Sequence, residues 1–200
     1  MLKFTCLRCG RCCKACLFIP LTYEDFYDWY LSKCFLPILL TIKESNIYTE
    51  EAGIEWAYTL LSARHNVYSL IRKILEKYNV KICEEGCSMF NNVYNYCRIY
   101  RRRPLACKLF PFDNNLRVVS WALENCEAIK KGLVRPPPDY VIIAQKYSEA
   151  IERTYSNKNV LDKVENIRKI VFDKVMRRII TDKYDLETLR YLLFNIVEYG

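Results

Sequence analysis

Apolar positions along this chain recur in more than one rhythm. In LTYEDFYDWYLSKCF, leucine and aromatic residues return every three or four positions after Thr22, and Asp25 stands three residues on, as in a capping box. The spacing predicts a helix over 22–34, with Pro37 stopping it. Over 38–61, ILLTIKESNIYTEEAGIEWAYTLL, β-branched and aromatic residues mix with turn formers, which predicts short strands or a hairpin. Residues 62–79 return to the helical period, with Val67, Leu70, Ile71, Ile74 and Leu75 on one face. Residues 80–128 keep no long period. They read as short strands, turns and loops, with Asp113-Asn114-Asn115 as a turn between two strands. The prolines of RPPPD, 135–139, break the chain. Beyond them the pattern is helical over 139–155, 160–181 and 185–198, and Val164, Ile167, Ile170, Val171 and Val175 form a core stripe. The expected fold is α+β: a small cysteine-rich core of short strands, loops and two helices over 1–134, then a helical C-terminal part over 135–200.

Composition fits that picture. Apolar residues make up 52% and charged residues 27% of the 200, the balance of a folded chain with a sizeable core and not of a disordered one. The longest apolar stretches, FLPILLTI and VIIA, are too short to cross a bilayer, so no membrane role is expected. No apolar run precedes the first cysteine in MLKFTC, so a secretory route is not expected and the location read from the sequence is cytoplasmic. In a reducing cytosol, eleven cysteines argue for metal binding or thiol chemistry rather than disulfides; a disulfide framework would require a hyperthermophile's cytosol.

Five of those cysteines fall in CLRCGRCCKAC, residues 6–16. Cys6-x2-Cys9-Gly10 has the shape of a metal-binding turn, since glycine lets the backbone curl round an ion, and Cys9-x2-Cys12-Cys13 continues it. An isolated cysteine such as Cys34 reads as a small buried hydrophobe, which does not suit a cluster flanked by Lys and Arg. Cysteines at i, i+3 and i+6 with a remote fourth match the ferredoxin way of holding a [4Fe–4S] cluster. The Cys-x2-Cys-Gly turn also matches a zinc knuckle. Zinc ribbons, however, bring two such pairs, and the downstream cysteines here come singly. An iron–sulfur cluster is therefore the expected cofactor and zinc the alternative. Cys9-x3-Cys13-x2-Cys16 also spells the CxxxCxxC of radical S-adenosylmethionine enzymes, but the strand–helix alternation of their barrel is missing from the pattern.

CLRCGRCC resembles the signature of the CxxCxxCC cysteine-cluster family of zinc- or iron-chelating (YkgJ-like) proteins. The resemblance continues through Leu21-Thr22-Tyr23-Glu24-Asp25, Cys87-Ser88-Met89-Phe90, Cys97-Arg98-Ile99-Tyr100, and Arg103-Pro104-Leu105-Ala106-Cys107-Lys108-Leu109-Phe110-Pro111. It ends near Cys126-Glu127-Ala128-Ile129-Lys130-Lys131-Gly132, where Glu127 replaces the commoner proline, and does not reach the helical tail. It implies a metal ligand set drawn from Cys6, Cys9, Cys12, Cys13, Cys87, Cys97, Cys107 and Cys126, enough for one or two four-thiolate sites. Cys16, Cys34 and Cys83 are left as structural residues. Related cysteine clusters occur in proteins resembling flagellin lysine methylases, so a methyltransferase-like or redox enzyme is a further alternative, although no methyl-donor site can be read here.

The formal net charge is +8, and residues 98–135 hold nine Lys/Arg against three acids. A zinc or [4Fe–4S] site held by four thiolates carries a net charge of about −2, so much of this local excess reads as compensation for the ligands. Nucleic acid bound through 98–135 is the lead alternative partner, with Tyr96, Tyr100 and Phe112 as stacking surfaces, alongside an unidentified redox or protein partner. Phe110-Pro111-Phe112 is expected to cover the site. His65, the single histidine, opens an amphipathic helix far from any cysteine and reads as a solvent-facing residue.

Overall fold

The structure, a computed structural model, describes residues 2–15, 17–44, 55–62 and 86–176. It is an α+β fold with two small antiparallel strand pairs and a helical C-terminal part. Thr22 caps the first of its longer helices as the sequence predicts. Its side chain accepts the Asp25 amide, and Asp25 Oδ2 accepts the Thr22 amide at 2.8 Å. After the short turn of helix α1 (Arg11–Lys14), this helix is α2 (Tyr23–Leu31), which buries Phe26 and Trp29. It stops three residues earlier than expected, and Pro37 is not the cause. Lys33 enters the left-handed region at φ 57, and the amides of Lys33 and Cys34 bond back to the Tyr30 and Trp29 carbonyls. Pro37 instead sits inside the next helix, α3 (Phe35–Leu39), in the first turn, where a missing N–H costs nothing.

The hairpin expected over 38–61 is present. Strand β1 (Thr41–Glu44) pairs antiparallel with β2 (Ala57–Leu60), Thr41 opposite Leu60, and β2 is buried along its whole length. Strands β3 (Phe90–Asn91) and β4 (Tyr96–Cys97) form the second pair. The following segment is more helical than its sequence suggests. A single 3-10 turn (Tyr100–Arg102) leads to α4 (Leu105–Leu109), α5 (Ser120–Asn125) and α6 (Glu127–Lys130). The expected turn at 113–115 does form, and Phe112 and Val118 bridge across it, but the chain then coils into α5 instead of continuing as a strand.

The tail forms α7 (Pro138–Ser156) and α8 (Lys158–Met176). Val164, Ile167 and Val171 are buried, whereas Ile170 is 39% exposed. The buried face carries on through Arg168 and Phe172, and Ile170 falls to its flank. The Val175 side chain, the helices expected over 63–79 and 185–198, His65, Cys16 and Cys83 lie outside the described residues. No helix among the described residues is long and apolar enough to cross a membrane.

Two hydrophobic clusters hold these elements. The first joins α2, α3 and β2 to α8 through Phe26, Trp29, Ile38, Tyr58, Val164 and Val171. The second joins the N-terminal segment to α4, α6 and α7 through Phe4, Leu109, Phe112, Ile129, Tyr140 and Ala144. Polar bonds cross from the tail into the first cluster. Tyr155 Oη donates to the Leu21 carbonyl at 2.7 Å and accepts the Tyr58 amide at 2.9 Å. Arg168, only 2% exposed, donates to Glu165 and to the Thr41 carbonyl and lies 4.7 Å over the Tyr58 ring. Core packing therefore runs across the proline break at 136–138.

Candidate metal centre

The cysteine loop is shaped by two left-handed residues, Arg8 (φ 53) and Gly10 (φ 75). A Cβ at Gly10 would fall into the Phe90 ring and 2.9 Å from Asn95 Oδ1, so only glycine allows this approach to the β3–β4 hairpin. Gly10 leads into α1, a single turn closed by the Lys14 amide on the Gly10 carbonyl at 3.0 Å, and this turn carries Cys12 and Cys13.

The backbone then ties this loop to the second cysteine region. The Cys87 amide donates to the Cys13 carbonyl at 2.8 Å. Gly86, at φ 93, passes so close that an added Cβ would meet that carbonyl oxygen and lie 2.7 Å from Lys14 Cα. Cys87 also bridges Ser62 beyond the end of β2, and its carbonyl accepts the Phe90 amide at 2.9 Å. Phe90 is the register partner of Cys97. Cys107 sits in the middle of α4. The entry to α4 is fixed by α2: Asp25 Oδ1 accepts the Leu105 amide at 2.9 Å, and Trp29 Nε1 donates to the Arg102 carbonyl at 2.7 Å. Cys126 stands at the joint of α5 and α6. Next to it, Glu127 pairs with Arg11 of the cysteine loop at 2.6 Å. Cys6 is brought in by the segment before it, where the Phe4 amide donates to the Arg135 carbonyl at 2.8 Å and the Arg135 amide donates to the Leu2 carbonyl at 3.1 Å.

Cys6, Cys9, Cys12, Cys13, Cys87, Cys97, Cys107 and Cys126 all line one cavity of about 410 Å³. Each is half-buried. Cys34 is not among the lining residues and packs on the first hydrophobic cluster, as expected of an isolated cysteine. None of the described cysteines is in a disulfide. Arg8, Arg11, Arg101 and Arg103 also line the cavity, and among the described residues no Asp, Glu or His does. An all-sulfur donor set bordered by guanidinium groups suits a soft or borderline cation and excludes a site built for magnesium or calcium, so in donor chemistry the residues fit zinc or an iron–sulfur cluster. Among the described residues, no three Cys, His, Asp or Glu are already gathered as a set that could hold one ion. The cavity walls thus supply the donors without a closed coordination shell.

Electrostatics show what it costs to bring these thiols together. Cys12 and Cys13 hydrogen-bond to each other, which holds Cys12 down to about 7 and pushes Cys13 far up. Burial raises Cys107 well above the ordinary thiol range, and the neighbouring charges of Cys87, Cys12 and Cys97 add to it. Burial also raises Cys97 and Cys126. Arg103 works the other way, favouring the thiolate at Cys12, Cys97 and Cys107. A metal cation would neutralise several thiolates at once.

The aromatic and basic residues divide in ways the sequence did not indicate. Phe110 lines the cavity against Trp121, ring centroids 5.9 Å apart, but Phe112 turns away into the second cluster and is 3% exposed. Phe112 is therefore not available as a stacking surface for a base. Tyr100 lies between the Arg8 and Arg103 guanidiniums, each 4.5 Å from its ring. Of the arginine triplet, Arg101 and Arg103 face the cavity and Arg102 pairs outward with Asp28 at 3.0 Å. Sequence reasoning missed Asp25 and Trp29 as anchors of the Cys107 helix, Gly86 as the point of closest approach, and Trp121 as a wall. Only Gly86 carried a local signal, a glycine immediately before a motif cysteine.

No curated protein and no solved structure matches the chain. Residues 5–127, from just before Cys6 to just after Cys126, match one family model; a match over that span, enclosing every cavity cysteine, makes the chain a member of the CxxCxxCC family, described as a putative zinc- or iron-chelating domain.

Proposed function

We propose that this protein binds metal through the cavity thiols, that the group held is an iron–sulfur cluster, and that its role is structural or in electron transfer. The observation that carries this reading is the lining of the cavity: among the described residues, eight thiols and four arginines with no Asp, Glu or His. The spacing of Cys6, Cys9 and Cys12 supports the cluster over zinc. Such a group supplies single-electron chemistry when bound. The chain contributes the thiolates, and Arg103 lowers the cost of forming them. Phe90, Phe110 and Trp121 wall the space and restrict water, one of the levers that set a cluster's potential. Structural zinc is the second reading, supported by the same donor set.

The test is anaerobic purification with metal and sulfide analysis. The expected result is a brown protein containing iron and acid-labile sulfide. A colourless protein with stoichiometric zinc replaces the cluster with zinc, and metal-free protein overturns both readings.

A further inference from the structure

The cavity has two different ends. Cys87 and Cys97 pack against the first hydrophobic cluster, and Cys6 and Cys126 pack against the second. Backbone bonds follow the same division. Cys13, Cys87 and Cys97 are linked through the Cys13 carbonyl, the Cys87 amide and carbonyl, and the Phe90–Cys97 register pair. Cys126 is fixed instead beside Glu127, which holds Arg11 of the cysteine loop. Between the ends lie Cys12 and Cys13, consecutive residues of α1. Neighbours on a helix point roughly 100° apart, so an adjacent pair can serve two sides. The proximity of the thiols follows this split with Cys12 at the boundary: Cys13 feels Cys107 and Cys87, Cys107 feels Cys87, Cys12 and Cys97, and Cys126 feels Cys9 and Cys12.

We propose that the cavity holds two separate metal groups, one on Cys13, Cys87, Cys97 and Cys107 and the other on Cys6, Cys9, Cys12 and Cys126. The proposal rests on the metal-binding reading above and adds the number of groups and their ligands. The second set keeps the i, i+3, i+6 run with a remote fourth cysteine, so it takes the iron–sulfur cluster. The first set is built from single cysteines fixed by backbone bonds. The hydrogen-bonded Cys12–Cys13 pair is the wall where the two sets meet.

The experiment measures metal per chain in the full-length protein, purified anaerobically, and in four variants: Cys107→Ser and Cys97→Ser for one set, Cys126→Ser and Cys9→Ser for the other. Each variant is expected to lose one metal group and keep the other, and Cys107→Ser with Cys126→Ser is expected to lose both. Loss of all metal in folded single variants from both sets means one shared group and overturns the proposal. Full metal retention in both variants of one set also overturns it. Should the variants misfold, the wild-type chain is stripped stepwise with a chelator while exposed thiols are alkylated and mapped by mass spectrometry. Labelling is then expected in two blocks of four, following the two sets. Simultaneous labelling of all eight, or blocks that mix the sets, overturns the division. A wild-type protein isolated without metal sinks the underlying metal-binding reading; a single group per chain sinks only the division.

Discussion

The two hydrophobic clusters on either side of the cavity are unequal. Among the described residues, the first has fourteen buried members and reaches from α2 to α8. The second has seven, and its centre is a triad of edge-to-face rings, Phe4, Phe112 and Tyr140, with centroids 5.4 to 5.9 Å apart. Buried apolar area is the main source of stability, so the first cluster has the means to stand alone. The second gains its order from what it touches, and its edge is formed by Cys6 and Cys126. With metal held by the cavity thiols as proposed, its removal is expected to matter most to the smaller side of the molecule.

Removing metal with a chelator is the strongest way to sharpen this contrast. Because ligand binding free energy is also folding free energy, a loss of several kcal/mol is expected. Hydrogen exchange is expected to rise first in 2–9 and 105–134, while α2 and α8 stay protected; uniform loss of protection would erase the distinction. Phe26→Ala is next, at about 4 kcal/mol from lost packing in the first cluster. Metal per folded chain is expected to stay unchanged in that variant. Phe4→Ala in the second cluster is expected to cost about 3 kcal/mol and also to lower metal retention, which separates the clusters by readout as well as size. Gly86→Ala, where a methyl would press on the Cys13 carbonyl, is expected to cost about 3 kcal/mol and to loosen metal. Gly132→Ala, with the same left-handed requirement but open space around it, is expected to cost only about 1 kcal/mol.

A pH dependence is also expected on the first-cluster side. Burial pushes the Asp25 carboxyl up to about 6, against the hydrogen bonds it accepts from Thr22 and Leu105. Its folded value therefore lies above its unfolded one. The contribution of protonated Asp25 is fully present below about pH 4 and is lost as pH rises through about 6, an effect of order 3 kcal/mol. Between pH 4 and 7, urea melts of wild type are expected to lose that much relative to Asp25→Asn in the same metal state; parallel profiles would remove Asp25 as the source.

Features that depend on neighbours in sequence were readable before any coordinates. The Thr22–Asp25 cap, the β1–β2 hairpin and the long tail helices each announce themselves through local spacing. Helices α4, α5 and α6 did not, because four to six residues complete too little of a helical period to separate from strand and loop. The end of α2 was misplaced because Pro37 is a louder signal than a left-handed lysine. The eight motif cysteines were identifiable by residue type and spacing, and all of them border the cavity. Which side each faces was not legible. That depends on the Cys13–Cys87 backbone bond and on Asp25 holding α4, links between residues dozens of positions apart.

The bond between Cys13 and Cys87 also bears on how this protein can change over time. It closes the stretch between those residues, which carries α2, α3, β1 and β2 and lines the cavity again at Leu17, Ile19 and Leu60, into a loop. Each doubling of such a loop costs only about 0.6 kcal/mol in closure entropy. Insertions and deletions at its surface turns are therefore tolerated cheaply, while the two anchor points allow almost no variation. Relatives are expected to differ most in length between those anchors and least at them.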